Sequence, residues 1–254
     1  MSKVRSAGIM AGGSGSRLVT DGIHTPKPFL LVADRPLISF FLDDARTAGI
    51  EHIVVAIRPD DDVLPEFLSR DERFSWEFVE TMGTGTLEAV LALTDRLGAE
   101  DHIISTCDVV LPPGSTMRLI EAAERFRDQE PAIVLLGTDL VHDTTPIWLH
   151  RDPARPHILT RLGKGEEPSP FVFGNVRWVR KNLGDLVSEC AEGLQRDTHF
   201  LNRLTTSHPG SIFFHFQPEV IDIDDRRDLD FAQRLVAASS LYRVNGRETG
   251  PMEP

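Results

Sequence analysis

The chain has 254 residues and a formal net charge of −12, and 41% of its residues are apolar. This composition indicates a soluble globular protein with a proper core, and its acidity argues against nucleic acid or a membrane surface as a partner. No stretch approaches the ~20 apolar residues of a membrane span. Strand-like sequence begins at Val4, so we expect no signal peptide. Two cysteines form neither a disulfide framework nor a metal-binding spacing, so we expect a cytoplasmic protein.

The first predicted element is a short buried strand, residues 4–10, which runs into a glycine-rich loop at residues 11–16. Small residues allow several backbone N–H groups to approach one point closely, as phosphate binding requires. Arg17 closes the loop with a permanent, forked positive charge suited to phosphate. The small residues that we expect to line a bound phosphate are Ala11, Gly12, Gly13 and Gly15.

Two common glycine-loop motifs are absent from the chain. The dinucleotide fingerprint needs a third glycine where this chain has Leu18. A P-loop needs Gly-Lys followed by Ser or Thr, whereas Gly163-Lys164 is followed by another glycine. The loop is instead followed by Lys27 between two prolines, on backbone that the prolines stiffen.

Strands and helices alternate through the next hundred residues. The strands are predicted at 52–57, 76–79, 102–106 and 132–137, and the helices at 36–49, 63–69, 87–97 and 115–127. This alternation predicts an α/β fold with a doubly wound, mostly parallel, Rossmann-like sheet. Ligands bind such sheets outside the carboxyl ends of the strands. The glycine loop, the turn at 83–86 and Asp108 each follow a predicted strand, so we expect them to face one crevice.

The rhythm fades between residues 139 and 178, which we interpret as a substrate-side insertion. Residues 147–149 and 157–159 predict a β-ribbon, and the glycine-rich segment 161–166 after it is expected to face the substrate. Residues 171–176 should return to the sheet. Three histidines are scattered through this region, and we expect them at surface or ribbon positions: His142, His150 and His157.

The last third of the chain completes a single domain over residues 1–241, followed by a polar tail at 242–254. Helices are predicted at 182–191, 198–204 and 225–241, and strands at 212–216 and 220–222. Strand alternation places Asp222 and Asp224 on one face, with Ile223 in the core. Asp225 and Asp228 have the spacing of a helix capping box.

Together these motifs resemble the sugar-phosphate nucleotidyltransferases. The motifs occur in family order as G-G-S-G-S-R, P-K-P-F-L, A-D-R-P-L-I, M-G-T-G-T, the aspartate after the strand at 102–106, and D-I-D-D-R-R-D-L. The segment I-L-T-R-L-G-K-G is also similar to a stretch of the phosphoinositol and phosphocholine cytidylyltransferase branch. No hexapeptide array of the kind some members carry is present in the sequence.

The resemblance implies attack of a phosphomonoester on the α-phosphorus of an NTP, with release of pyrophosphate. It implies that Arg17 neutralises the departing phosphates, that Lys27 bridges the α-phosphate and the incoming phosphate, and that Asp108 holds Mg²⁺. The other residues that the resemblance marks are Asp222 and Asp224 for the metal, Gly83 and Thr84 against the base, and Lys164 and Gly174 for the acceptor. A homo-oligomer is compatible with this assignment.

Some alternatives stay open at this stage. Relatives that read uracil or thymine have a glutamine near Phe78, whereas this chain has Glu80 shortly after it. Glu80 either accepts a hydrogen bond from a cytosine amino group, which favours CTP, or is a solvated turn residue. The alternative for Asp108 is a helix cap, and the alternative for Lys164 is a solvent-exposed lysine in a turn. For the whole protein, the alternative is a regulatory homologue that binds sugar nucleotides without catalysing a reaction. A nicotinamide dehydrogenase is disfavoured.

Overall fold

The structure is a computed structural model that describes residues 4–13, 15–142, 145–164 and 168–242, without the side chain of Lys164. The strands are β1 Ser6–Met10, β2 Leu31–Val32, β3 Arg35–Pro36, β4 His52–Ile57, β5 Ser75–Glu80, β6 His102–Thr106, β7 Val109–Val110, β8 Ile133–Thr138, β9 Ile147–Arg151, β10 Leu159–Lys164, β11 Val172–Val179, β12 Ile212–Phe216 and β13 Ile221–Asp222. The helices are α1 Ser16–Thr20, α2 Leu37–Thr47, α3 Val63–Ser69, α4 Thr86–Leu97, α5 Ser115–Arg125, α6 Gly184–Ala191, α7 Asp197–Ser207 and α8 Arg226–Ala238. Short 3-10 turns lie at Lys27–Phe29, Arg127–Gln129 and Ser240–Tyr242.

The predicted α/β class with a mostly parallel central sheet is confirmed. The sheet runs in the order β10-β9-β11-β6-β1-β4-β5, with β8 beside β11 and β12 beside β8. Strand β1 pairs in parallel with β4 on one side and β6 on the other. The chain therefore continues from β1 to β4 and β5 on one side and returns to β6 on the other side of β1. The crevice at such a switch point is where α/β sheets bind ligands.

Helices cover both faces of the sheet because the central strands are apolar on both sides. In β4, Ile53 and Val55 pack in the core beneath α2, α3 and α5. Val54 and Ala56 of the same strand pack on the other face, beneath α4, α6 and α7. A strand that alternates between two buried faces is typical of a doubly wound sheet.

The ribbon is present, but its second strand is longer and later than predicted. Strand β10 covers Leu159–Lys164 and pairs antiparallel with β9, with an irregularity between Leu159 and Arg161. Residues 161–164, the first part of the glycine-rich segment, therefore belong to the second strand of the ribbon. Residues 165–166 lie outside the described residues.

The end of the domain also differs from the prediction. Helix α8 ends at Ala238, and Tyr242, which was assigned to the tail, is buried, with its hydroxyl donating to the Glu219 carbonyl. Tyr242 therefore packs with the domain; residues 243–254 of the predicted tail lie outside the described residues. Within the described chain, no helix has both the length and the apolar character needed to cross a membrane.

Candidate active site

The two loops beside β1 are anchored directly to its neighbours. The Ala11 N–H donates to the Ala56 carbonyl at 2.9 Å, and the Cys107 N–H donates to the Met10 carbonyl at 3.1 Å. These bonds extend the parallel ladder by one residue at the carboxyl ends of β1 and β6. They fix the start of the glycine loop and the position of Asp108 side by side.

The described part of the glycine loop lies between the segment after β5 and the Lys27 side chain. A Cβ on Gly12 would lie 3.3 Å from the Thr81 hydroxyl, so the loop touches the segment after β5. A Cβ on Gly15 would lie 3.5 Å from Cγ of Lys27, and Gly15 has a φ of 59°, which favours glycine. Gly13 is exposed with open space around it, and Ser14 lies outside the described residues.

The Pro-Lys-Pro segment folds as a tight turn. Its 3-10 helix begins at Lys27, Pro28 is buried, and the Phe29 N–H donates to the Pro26 carbonyl. This turn points the lysine back toward the sheet. The Lys27 side chain is 11% exposed, and its Nζ lies 2.7 Å from Oδ2 of Asp108 and 2.7 Å from Oδ1 of Asp224.

A two-residue ladder that was not predicted brings the acidic residues together. Strand β7, directly after Asp108, pairs antiparallel with β13, so that Asp222 lies opposite Val109. The Ile223 N–H donates to the Asp108 carbonyl at 3.0 Å, and Ile223 is fully buried as predicted. Chain positions more than a hundred residues apart thus present their carboxylates to one lysine.

The charges of this cluster are strongly coupled. Burial acts to lower the pKa of Lys27, but the charges of Asp108, Asp222 and Asp224 outweigh it and raise that pKa well above its usual value. Burial acts to raise the pKa of Asp108, but the adjacent Lys27 charge lowers it overall. Burial and then the negative charge of Asp108 raise the pKa of Asp222 well above normal. The site therefore favours a further positive charge near Asp222.

A divalent cation fits a site made by the carboxylates of Asp108 and Asp222 better than a site that also includes Asp224. Oδ1 of Asp108 and Oδ1 of Asp222 are buried and have no hydrogen-bond partner among the described residues. Hard cations such as Mg²⁺ take oxygen ligands of this kind, often one or two carboxylates completed by phosphates and water. Across the described ranges, no three His, Cys, Asp or Glu side chains form a metal-holding group. Asp224, predicted as a third ligand, is directed instead to Lys27 and to Arg17, whose Nη1 lies 2.7 Å away.

The segment after β5 forms a loop that an unpredicted residue organises. Glu88 of α4 accepts hydrogen bonds from the Met82 N–H at 2.7 Å and from the Thr84 N–H and hydroxyl at 3.0 and 2.9 Å. Glu88 looked like an ordinary exposed helix residue in the sequence. Its position two residues into α4, where it reaches back to the preceding turn, was the available signal.

The glycines of this loop have different reasons to be glycine. Gly83 has a φ of 69°, and a Cβ on it would lie 4.0 Å from the Gly12 carbonyl. Its backbone conformation, and not crowding, therefore favours glycine. Gly85, which was not singled out, is the crowded one, because its Cβ would overlap the Gln195 carbonyl. Glu80 ends β5 and is exposed.

A cleft next to Asp222 and Asp224 contains Gly174, which was predicted to bind the acceptor. Gly174 lines it from β11, and a Cβ there would lie 2.6 Å from Cδ2 of Leu136. His142, predicted at a surface or ribbon position, lines the same cleft and has a side chain only 11% exposed. That prediction was wrong because the loop after β8 folds over the start of α8. The side chain of Lys164 lies outside the described residues.

This architecture, a mostly parallel sheet with helices on both faces and small antiparallel additions, is the nucleotidyltransferase form of the Rossmann-like fold. The chain belongs to the MobA-like NTP transferase family, whose domain model matches residues 7–176. The predicted resemblance to nucleotidyltransferases is thereby confirmed at the level of family.

Curated relatives match over part of their length. A UTP–glucose-1-phosphate uridylyltransferase of Bacillus subtilis (strain 168) is 30% identical over 146 residues, which are 58% of this chain and 48% of the relative. A second from the same organism, YngB, is 29% identical over 144 residues, 57% of this chain and 46% of the relative. The chain thus spans about half the length of the curated relatives that it matches.

Solved structures match over nearly the whole chain and show the fold. A putative glucose-1-phosphate thymidylyltransferase from Bacillus anthracis has a TM-score of 0.78 at 16% identity, covering 96% of this chain and 98% of the other. The inositol-1-phosphate CTP transferase from T. maritima has a TM-score of 0.71 at 15% identity, covering 94% and 98%.

Proposed function

We propose that the protein is a nucleotidyltransferase that joins an NTP to a sugar-1-phosphate or a related phosphomonoester, a cyclitol or choline phosphate included, and releases pyrophosphate. The observation that carries this proposal is the position of Lys27. Its ammonium group lies between Asp108 and Asp224, beside a glycine loop that begins at the carboxyl end of β1. A cation fixed at this point suits two phosphate groups that must approach each other.

In this reaction an oxygen of the acceptor phosphate attacks the α-phosphorus, and the bond from that phosphorus to the β-phosphate oxygen breaks. Backbone N–H groups at Gly12, Gly13 and Gly15 bind phosphate oxygens, and Arg17 leaves Asp224 to neutralise the departing pyrophosphate. Lys27 bridges the two reacting phosphates. The protein does no covalent chemistry; it positions two anions and stabilises the added charge.

A bound Mg²⁺, held by Asp108 and Asp222, would supply further charge neutralisation at the phosphate oxygens. The orphaned Oδ1 atoms of these two residues support this assignment. We assign Asp224 to the basic side chains and not to the metal, since it is paired with Lys27 and Arg17.

We propose a pyrimidine nucleotide as the donor. The curated relatives use UTP, and one structural neighbour is named for CTP. A carboxylate such as Glu80 accepts from the amino group of cytosine and equally from the ring N–H of uracil, so it is compatible with both. An NTP-using enzyme with two free, buried cysteines fits the cytoplasm, which we propose as its location.

The test is pyrophosphate release from each of four NTPs with glucose-1-phosphate, inositol-1-phosphate and choline phosphate, with and without Mg²⁺. We expect release only when a pyrimidine triphosphate, an acceptor and Mg²⁺ are all present. Nucleotide binding without turnover on any acceptor would instead identify a regulatory homologue. Turnover that persists in excess chelator would remove Mg²⁺ from the proposal.

A further inference from the structure

A small cleft, with a cavity volume of about 100 Å³, lies next to the lysine–aspartate cluster. Arg17, Asp222 and Asp224 form one wall, and Gly174 and Asn175 of β11 form another. A group that enters the cleft therefore has the proposed reaction centre at one end.

His142 stands in this cleft with its ring held on two sides. Nδ1 lies 3.2 Å from Oδ1 of Asp228, and the ring stacks on Phe231 with centroids 5.8 Å apart and planes 28° apart. Among the residues that the structure describes, Asp228 is the ring's one hydrogen-bond partner. A carboxylate only accepts, so Nδ1 carries a proton and Nε2 is the atom left for a ligand.

The Asp228 contact is not needed for helix capping. The other oxygen of Asp228, Oδ2, accepts from the Asp224 N–H at 2.9 Å and the Asp225 N–H at 3.0 Å, which completes the cap of α8. Holding His142 is thus a second use of the same carboxylate. It ties the orientation of the imidazole to the backbone that carries Asp224.

We propose that His142 binds a hydroxyl group of the acceptor and so selects a polyhydroxylated phosphate, a sugar or cyclitol phosphate, over choline phosphate. A hydroxyl both donates and accepts, so it matches Nε2 in either protonation state of the ring. A quaternary ammonium group prefers aromatic faces. Apart from His142, the aromatic residue lining the described part of this cleft is Phe173, which is 7% exposed. The inference rests on the proposed function, which places the acceptor phosphate at Lys27.

Calorimetric binding tests this inference without turnover. Wild type, His142→Phe and His142→Gln are titrated with UDP, UDP-glucose, CDP, CDP-glucose and CDP-choline. His142→Phe keeps the ring shape but loses both nitrogens, and His142→Gln keeps an amide that can bond Asp228 or a hydroxyl. His157→Phe is the matched control, because His157 lies outside the cleft, stacks on Phe126 and packs at a tilt against Phe213.

We expect His142→Phe to weaken the binding of the glucose nucleotides about 5- to 10-fold, the value of a hydrogen bond. Binding of UDP and CDP should stay as in wild type, and binding of CDP-choline should not weaken, because the new phenyl ring offers the choline group an aromatic face. His142→Gln should recover part of the loss, and His157→Phe should change nothing. Equal losses for UDP and UDP-glucose, or no loss at all, would overturn the inference. If the glucose nucleotides bind and respond in this way while no pyrophosphate is ever released, the inference stands and the proposed enzyme activity alone fails. If no nucleotide binds wild type, both fail.

Discussion

Lys27 shows how a single side chain can depend on the whole site around it. Burial acts to lower its pKa, but the three carboxylates that face it raise that pKa overall, so it is charged at neutral pH. Lys27 is also buried enough that removing it leaves Asp108 without an ion-pair partner, whereas Asp224 keeps Arg17. Activity and stability are therefore linked at this residue and have to be measured separately.

We predict that Lys27→Met lowers kcat/KM by roughly 10²–10³, since charge stabilisation of this kind is worth ~3–4 kcal/mol. The melting temperature should also fall, because Asp108 loses its ion-pair partner, whereas Asp224 keeps Arg17. The double variant Lys27→Met, Asp108→Asn should regain stability but not activity. A folded Lys27→Met protein with wild-type turnover would remove Lys27 from the mechanism.

The acidic cluster at the start of α8 separates into two kinds of aspartate. Asp225 caps the helix, accepting from the N–H groups of Arg227 and Asp228, and the predicted capping box with Asp228 is present. Asp222 is half-buried, its Oδ1 atom is buried, and its carboxyl faces that of Asp108. We therefore expect folding to require Asp225 and the site to require Asp222, although the two lie three residues apart.

We predict opposite phenotypes for Asp225→Ala and Asp222→Asn. Asp225→Ala should lower the free energy of unfolding by ~1 kcal/mol and leave Mg²⁺-dependent turnover intact. Asp222→Asn should leave stability unchanged or higher, because it removes a costly buried charge, but abolish turnover or sharply raise the Mg²⁺ requirement. Urea unfolding and pyrophosphate release over a Mg²⁺ titration measure both. Exchanged phenotypes would place Asp225 in the site.

At the scale of elements, the loop between β5 and α4 is held from two directions. Glu88 binds its N–H groups from within α4, and the Leu87 N–H donates to the Gln195 carbonyl. The Gln195 segment is itself fixed by Asp197, which forms a buried bidentate ion pair with Arg177 of β11. The proposed base-binding loop therefore depends on contacts well outside itself.

We predict that Gly85→Ala raises KM for the nucleotide and destabilises the protein by about 1–3 kcal/mol, the usual cost of overpacking. The new methyl group would overlap the Gln195 carbonyl, so the loop or the Gln195 segment must move. Gly184→Ala is the matched control, because nothing lies within 4 Å of its added Cβ. An unchanged KM in Gly85→Ala would show that the loop does not bind the base.

How well the sequence predicted these elements depends on their length. The central strands and the helices between them have clear periodicity, so their type and order followed from the pattern. The β7–β13 ladder could not be predicted, because strands of two residues have no period; yet it aligns Asp108 with Asp222.

The burial of His142 and the role of Glu88 also escaped prediction, since each depends on a partner that only the folded chain supplies. The roles assigned to Arg17, Lys27 and the glycines remain predictions.

At the scale of the whole molecule, the edge of the sheet carries a histidine that makes stability depend on pH. His215 lies in β12, and burial, followed by the charges of Arg125 and Arg118, lowers its pKa to about 4. Its Nε2 is buried with no hydrogen-bond partner among the described residues. The folded state therefore resists a proton that the unfolded chain accepts near pH 6.5.

We predict that wild type loses stability as the pH falls from about 6.5 to about 4. In this range the unfolded chain binds the proton that the native state excludes, so the His215 contribution is complete above the window and lost through it. His215→Leu should lose less stability over the same range, with His157→Phe as a control for removing a histidine elsewhere. Urea unfolding at steps of pH measures this. Parallel curves for wild type and His215→Leu would contradict the prediction.

The ion pairs that join Arg17 and Lys27 to Asp224 connect positions 207 and 197 residues apart. During synthesis, at roughly 5–20 residues per second, the ribosome makes the glycine loop and the lysine turn long before their acidic partners exist. The first strands can pair with each other in that interval, since β1, β4 and β6 all precede residue 107. The charge network closes only when the chain beyond Asp224 has emerged, and such distant contacts form late. The first strands of the sheet are therefore free to pair before the charge network of the reaction centre can close.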